Sequence, residues 1–90
     1  MLYMVIEKYR TPGAIDIYRR AKNQGRMMPD GLEYVASWVD FSFTRCFQLV
    51  KTDNEKLLGE WMNHWRDLVE FEIVPVQTSL EAMQAIAPRL

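Results

Sequence analysis

Two apolar-rich runs in the middle of the chain, LEYVASWVD at 32–40 and FTRCFQLVK at 43–51, are separated only by Phe41 and Ser42. Runs of this length and composition, so closely joined, specify a β-hairpin. With a turn of two or four residues centred on Phe41 and Ser42, Trp38 faces Arg45, Ala36 faces Phe47 and Tyr34 faces Leu49. On the other side Ser37 meets Cys46 and Val35 meets Gln48. Side chains alternate across a strand, so a slip of one residue would exchange the two sets. Ser37, Trp38, Arg45, Cys46 and Gln48 are more polar or more reactive than a plain core needs.

The flanks repeat one pattern on each side of the hairpin. LYMVIEK at 2–8 reads as a strand, with Tyr3 and Val5 on one side and Leu2, Met4 and Ile6 on the other. A strand wet on one side should alternate polar and apolar; this one asks to be covered on both. Thr11-Pro12-Gly13 suits the start of a helix, with Thr11 as cap and Pro12 in the first turn. AIDIYRRAKNQG then sets Ala14, Ile17, Tyr18 and Ala21 on one face and stops at Gly25. Pro29-Asp30-Gly31 is a turn, because proline presets φ and glycine permits a positive one.

After the hairpin, Thr52-Asp53-Asn54-Glu55 has the spacing of a capping box. The helix KLLGEWMNHWRDL follows, with Leu57, Leu58, Trp61, Trp65 and Leu68 in one broad stripe and His64 at its edge. Gly59 is costly inside a helix, which suggests a neighbour in close approach. VEFEIVPVQ at 69–77 alternates as a strand, and Pro75 assigns it to a sheet edge. Thr78-Ser79-Leu80-Glu81 is a second capping box, opening a short helix ended by Pro88.

Strand, helix, strand, strand, helix, strand and a terminal helix is the split β-α-β order of the ferredoxin-like α+β class, as one domain over residues 1–90. Its sheet should be antiparallel, with both long helices on one face. Apolar residues make up 49% of the chain and include three Trp and six Met, more than one small core hides readily. Sheet-to-sheet pairing of two copies, a dimeric α/β barrel, would cover the surplus.

The runs GRMMPDGL (25–32), SWVD (37–40), RCFQL (45–49) and EWMNHWRDLVEFEIVPV (60–76) resemble a family of short bacterial proteins of ferredoxin-like, dimeric α/β-barrel structure. That family has no assigned reaction. The wider superfamily implied by the resemblance includes cofactor-free monooxygenases, haem-degrading and haem-binding enzymes, muconolactone isomerases and stress-response proteins. Such variety supports a fold and leaves the activity open.

Charge and cysteine content narrow the choice. A net charge of -1 argues against a surface that tracks nucleic-acid phosphates. One cysteine cannot form an internal disulfide, and the apolar run near the N-terminus is too short for a signal or a membrane span. A cytoplasmic homodimer with no membrane or nucleic-acid partner is the expectation.

Six residues are ligand-binding candidates: Trp38, Arg45, Gln48, Trp61, Trp65 and Arg26. Trp38 with Arg45 could hold a carboxylate or enolate; the plainer reading is an arginine stacked on tryptophan and ion-paired across a dimer. Trp61 and Trp65 could wall an aromatic pocket, or simply fill the core. His64, the lone histidine, is the acid–base candidate on its unperturbed pKa, or else a residue at the core rim. Gln48 and Ser37 are polar groups on strands expected to be buried, and must find partners in a ligand, the fold or a second subunit. Arg26 either lines a pocket mouth or neutralises the end of the first helix. Cys46 reads as an inert core thiol. Glu60 and His64 lie four apart but lack a third ligand, so no metal is expected; nothing beside His64 specifies haem, and no cofactor is expected. Two functions fit: a small-molecule binder for an aromatic or carboxylate compound, with cofactor-free monooxygenase or isomerase as the activities to expect of it, and a non-catalytic structural or protein-interaction module.

Overall fold

The computed structural model describes residues 1–10 and 13–90; the expected cap at Thr11-Pro12 lies outside them. Seven elements follow one another: β1 (Leu2–Tyr9), α1 (Ala14–Gln24), β2 (Glu33–Val39), β3 (Arg45–Lys51), α2 (Lys56–Asn63), β4 (Val69–Val76) and α3 (Ser79–Ile86). A short 3-10 turn, Ala87–Arg89, ends the chain. The strands form one sheet in the order β2-β3-β1-β4, with every neighbouring pair antiparallel. This is the ferredoxin-like α+β arrangement expected from the sequence. Pro75 does lie on an edge strand, where its missing N–H costs no central ladder bond.

One sheet face packs on the helices. Tyr3 and Val5 of β1, Val50 of β3 and Val69 of β4 meet Ile17 of α1 and Leu58, Trp61 and Met62 of α2. Val5 and Val50 are fully buried. The Tyr3 hydroxyl donates to Glu55 Oε1 at 3.0 Å, tying β1 to the start of α2. On the opposite face, Met4, Ile6, Phe47 and Leu49 are only half-buried, and Trp38 is 56% exposed. Helix α3 buries no residue, and its Leu80, Met83 and Ile86 are open to solvent. Among the described residues no helix is long and apolar enough to cross a membrane.

The hairpin register differs from expectation by two residues. Trp38 pairs with Phe47, Ser37 with Gln48 and Ala36 with Leu49. The cause is Asp40. Its carboxylate accepts from the backbone N–H groups of Thr44 (2.8 Å) and Arg45 (3.0 Å) and from the hydroxyls of Thr44 (2.7 Å) and Ser42 (3.0 Å). These bonds fix a four-residue loop, Phe41 to Thr44, centred one residue further along the chain than Phe41 and Ser42. A shift by two preserves the faces, so Trp38 still shares a side with Arg45, and Ser37 with Cys46 and Gln48. Between Tyr34 and Ala36 a bulge changes the alternation and pairs Tyr34 with Val50, on the helix side.

The same bonds hold the Asp40 carboxyl well below the usual carboxylate range, Thr44 contributing most. A depressed folded pKa gives stability that is present above the unfolded value and is lost as pH falls toward the folded one. Asp40→Asn should therefore melt below wild type at pH 7, and the gap should narrow from about pH 4 downward, where aspartate protonates in the unfolded chain. Melting curves from pH 7 to pH 2 check this; a gap that widens in acid would refute it.

Helix α2 departs from expectation at both ends. Thr52 does not complete a capping box: its hydroxyl accepts from Asn54 N at 3.1 Å, while Asn54 Oδ1 accepts from Lys56 N at 3.1 Å. Asparagine thus satisfies the first exposed amide of the helix. The regular helix stops at Asn63, short of Leu68. Beyond it, Trp65 N bonds Met62 O at 2.9 Å and Leu68 N bonds Trp65 O at 2.9 Å, a tighter winding of i to i−3 bonds. Arg20 donates to the carbonyl of His64 at 2.8 Å and clasps Asp67 with two bonds of 2.7 and 2.8 Å, closing the helix end. The second capping box forms as expected: Thr78 Oγ1 accepts from Glu81 N, and Glu81 Oε1 from Thr78 N.

Gly59 has no neighbour within 4 Å of the position a Cβ would take, so close approach does not explain it. Gly59→Ala should raise stability by about 0.5–1 kcal/mol through helix propensity alone. A urea midpoint equal to or below that of wild type would contradict this. Gly31 is different: its φ is +94°, and a Cβ there would stand 2.9 Å from Leu57 Cδ1.

Candidate functional site

β1 continues its helix-side row from Tyr3 and Val5 to Glu7 and Tyr9. Antiparallel pairing sets Gln48 and Cys46 of β3 beside this row, and β2 adds Ser37. These residues floor a cavity of about 200 Å³ between sheet and helices. Trp61 and Trp65 wall it from the α2 side, Ile17 and Tyr18 from α1, and Arg26 stands on the loop after α1.

That loop is held by an uncommon contact. Gly25 and Met27 both take positive φ, +70° and +61°, on either side of Arg26. Glycine adopts this region freely, whereas methionine pays a steric cost. The reversal aims the Arg26 carbonyl at α2, where it accepts both indole N–H groups, from Trp61 and Trp65, each at 3.0 Å. A carbonyl has two lone pairs, and here each takes one indole. The indoles are thereby fixed in rotation as well as buried.

The Arg26 side chain turns the other way. Its guanidinium lies 3.9 Å from the centroid of the Tyr34 ring, and Nε donates to Gln48 Oε1 at 3.1 Å. Gln48 Nε2 in turn donates to Glu7 Oε2. Tyr34 and Ser37 share a hydroxyl hydrogen bond of 2.8 Å. The bulge at Tyr34–Ala36 makes this cluster possible, because without it the Tyr34 ring would point to the open face.

Glu7 is a carboxyl with 7% of its surface exposed. Burial pushes its pKa up, opposed by Gln48, by the Cys46 thiol and by the Arg26 charge. Burial and the charge of Glu7 push the Cys46 thiol up to about 12, so it stays protonated and unreactive at neutral pH. Tyr9 is pushed up as well, by burial first and then by Cys46, Tyr18 and Glu7. The site thus pairs a carboxyl nearer neutrality than usual with a thiol and a phenol, Cys46 and Tyr9, that keep their protons.

Four of the six ligand-binding candidates line this cavity, Gln48, Trp61, Trp65 and Arg26, and so do Ser37 and Cys46. Trp38 and Arg45 lie on the opposite sheet face. They are not a cross-strand pair: Arg45 sits 5.4 Å from the Phe47 ring centroid and pairs with Asp40 at 3.7 Å. His64 is exposed in the turn after α2 and does not line the cavity. Early ending of the helix swings it outward while Trp65 stays in. Glu7 and Tyr9 line the cavity without having been site candidates, and Tyr18 lines it from the apolar face of α1. The signal for Glu7 was present: an acid two residues beyond Val5, on the strand's better-covered side. A second, more open hollow of about 660 Å³ shares Tyr9 and Tyr18 with the cavity, but its polar residues Arg10, Ser42 and Thr44 are exposed.

Fold and site together define a ferredoxin-like α+β domain with a small, aromatic-walled cavity between its sheet and helices. The family described as Domain of unknown function (DUF3303) matches residues 1–90, and the chain belongs to it. No curated protein and no solved structure matches the chain.

Proposed function

We propose that this protein is a homodimeric small-molecule binder whose cavity takes a single-ring aromatic or carboxylate compound. The observation that carries the reading is the pairing of fixed indole walls with a polar floor, Glu7 and Gln48, in one half-open cavity. Apolar walls with a few convergent polar groups are the usual make-up of a ligand site. Size sets the ligand class: a cavity of about 150 Å³ takes benzene, and this one is somewhat larger at about 200 Å³. Without a cofactor, the chemistry such a site supports is proton abstraction, the first step of an isomerisation and of a cofactor-free oxygenation alike.

The test is thermal. 4-Methylphenol and benzoate should raise the melting temperature of wild type and leave Ala21→Phe, which fills the cavity from α1, unmoved. At ten times Kd the gain is about 1.4 kcal/mol, or roughly 5–10 °C for a domain of this size. Equal shifts in both proteins, or none in wild type, would overturn the reading.

The dimer rests on two uncovered apolar surfaces, the sheet face with Met4, Ile6, Phe47 and Leu49 and the α3 stripe of Leu80, Met83 and Ile86. A second copy of the same chain can cover both with one symmetric contact. Light scattering at micromolar concentration should give twice the 10.7 kDa of one chain, and Phe47→Glu should give one chain's mass. A wild-type monomer would count against it.

A further inference from the structure

We propose that Glu7 is the group that takes a proton from the ligand in this cavity, and that the ligand is a single-ring ketone with an acidic C–H beside its carbonyl. The inference rests on the ligand-binding reading above, extends its ligand class from aromatic and carboxylate compounds to a cyclic ketone of the same size, and assigns it a reaction. Three observations lead to it.

First, Glu7 is a carboxyl on the cavity floor, buried to 7% exposure. Second, the carboxyl is oriented by a chain of side chains. Gln48 Nε2 holds Oε2, and Arg26 Nε holds the Gln48 amide in the orientation that presents its N–H groups to Glu7. Such a chain fixes Oε2, with the Cys46 thiol as a second protein partner of the carboxyl. Third, the groups facing Glu7 are arranged for a base. Tyr9 on its own strand and Cys46 on β3 are both pushed up and stay neutral near pH 7, α1 offers the Tyr18 hydroxyl and α2 only indoles, and among the described lining residues the nearby charge is Arg26 at the mouth. Burial brings Glu7 closer to neutrality, as a general base requires.

The positions of floor and mouth define the reaction. A ring between the indoles and α1 would set a C–H toward Glu7 and its carbonyl oxygen toward Arg26. Among the described residues the terminal amino groups of Arg26 have no hydrogen-bond partner and are available to an oxyanion. The Glu7 carboxylate takes the proton on the α carbon. The C–H electron pair becomes a C=C bond, and the carbonyl π pair moves onto oxygen, where Arg26 holds the negative charge. In a ketone with a β,γ double bond the anion extends to the γ carbon. Return of the proton from Glu7 to that carbon yields the conjugated ketone. Atoms and charge balance, and no oxidant, reductant or metal enters.

Cyclohex-3-en-1-one is the probe, because its conjugated product absorbs in the ultraviolet where the substrate does not. Wild type should convert it faster than buffer alone. Glu7→Gln should be slower by about a hundredfold or more, yet still quench its tryptophan fluorescence with 4-methylphenol as wild type does. Arg26→Met, a change at an exposed residue, should fold normally and lose about a hundredfold in kcat. Conversion by Glu7→Gln at the wild-type rate overturns the proposal. So does conversion unaffected by Arg26→Met, which decides the matter if Glu7→Gln fails to fold. Wild type that binds 4-methylphenol but leaves the ketone at the buffer rate refutes the reaction and keeps the binding site. Wild type that binds neither refutes both.

Discussion

Trp61→Ala should destabilise the protein by about 3–5 kcal/mol, enough to unfold a large fraction of a domain of this size. Trp61 is 1% exposed and stands where both layers meet, with its ring 6.1 Å from that of Phe71. Truncation removes its apolar area, leaves a cavity and frees one lone pair of the Arg26 carbonyl. Trp61→Phe separates these effects. It keeps most of the packing but loses the Nε1–H, and Trp65 still holds the same carbonyl. Its cost should be about 1–2 kcal/mol, that of one hydrogen bond and a small void. Urea midpoints order the three proteins. Equal costs for the two variants would show that the indole hydrogen bond, and not packing, dominates.

Gln48→Leu should cost about 1–3 kcal/mol, because it strips the hydrogen bond from a buried carboxyl. The double variant Glu7→Leu, Gln48→Leu should recover most of that loss. Removing both partners of a buried polar pair is nearly neutral, whereas removing one leaves the other unsatisfied. The pH dependence follows from the raised pKa of Glu7, raised first by burial. A carboxyl raised in the folded state contributes stability that is fully present below its unfolded pKa, about 4.3, and lost as pH rises through the folded value. Gln48 favours the charged form, so its loss should hurt more at pH 8 than at pH 5. Stability of the double variant should vary less across that range than that of wild type. A cost of Gln48→Leu that shrinks with rising pH would contradict this.

The fold was legible because each element announces itself locally. Thr78 and Glu81 spell a capping box and make one; Pro29-Asp30-Gly31 turns where it should; Val69, Phe71 and Ile73 alternate as β4 does. Faces were also legible, since parity survives a slip by two. Register was not. It depends on Asp40 collecting four donors from the loop, and a motif of that kind is visible only once the loop is closed. The length of α2 was hidden for a similar reason. His64 to Leu68 keep a helical apolar pattern, but Arg20, forty-four residues from His64 in sequence, caps the earlier end.

The site was half legible. Trp61 and Trp65 lie on the stripe that the helical period gives them, and Gln48 stands out as an amide in an apolar strand. Arg26 could not be assigned from sequence, because its place depends on positive φ at Met27 and on the bulge that delivers Tyr34. Trp38 and Arg45 carry the same residue types as a site and lie on the other face. Composition alone does not distinguish a cavity wall from an open sheet, whereas alternation from Val5 to Glu7 would have.

The chain's three tryptophans allow the most direct test of the cavity. Two indole N–H groups, of Trp61 and Trp65, lie at the cavity wall bonded to Arg26, and the third, of Trp38, is on the opposite face. In a nitrogen-15 NMR titration with 4-methylphenol, the Trp61 and Trp65 indole signals should move together and saturate while that of Trp38 stays still. Movement of Trp38 alone, or no saturable movement of Trp61 and Trp65, would contradict the placement of the ligand between sheet and helices.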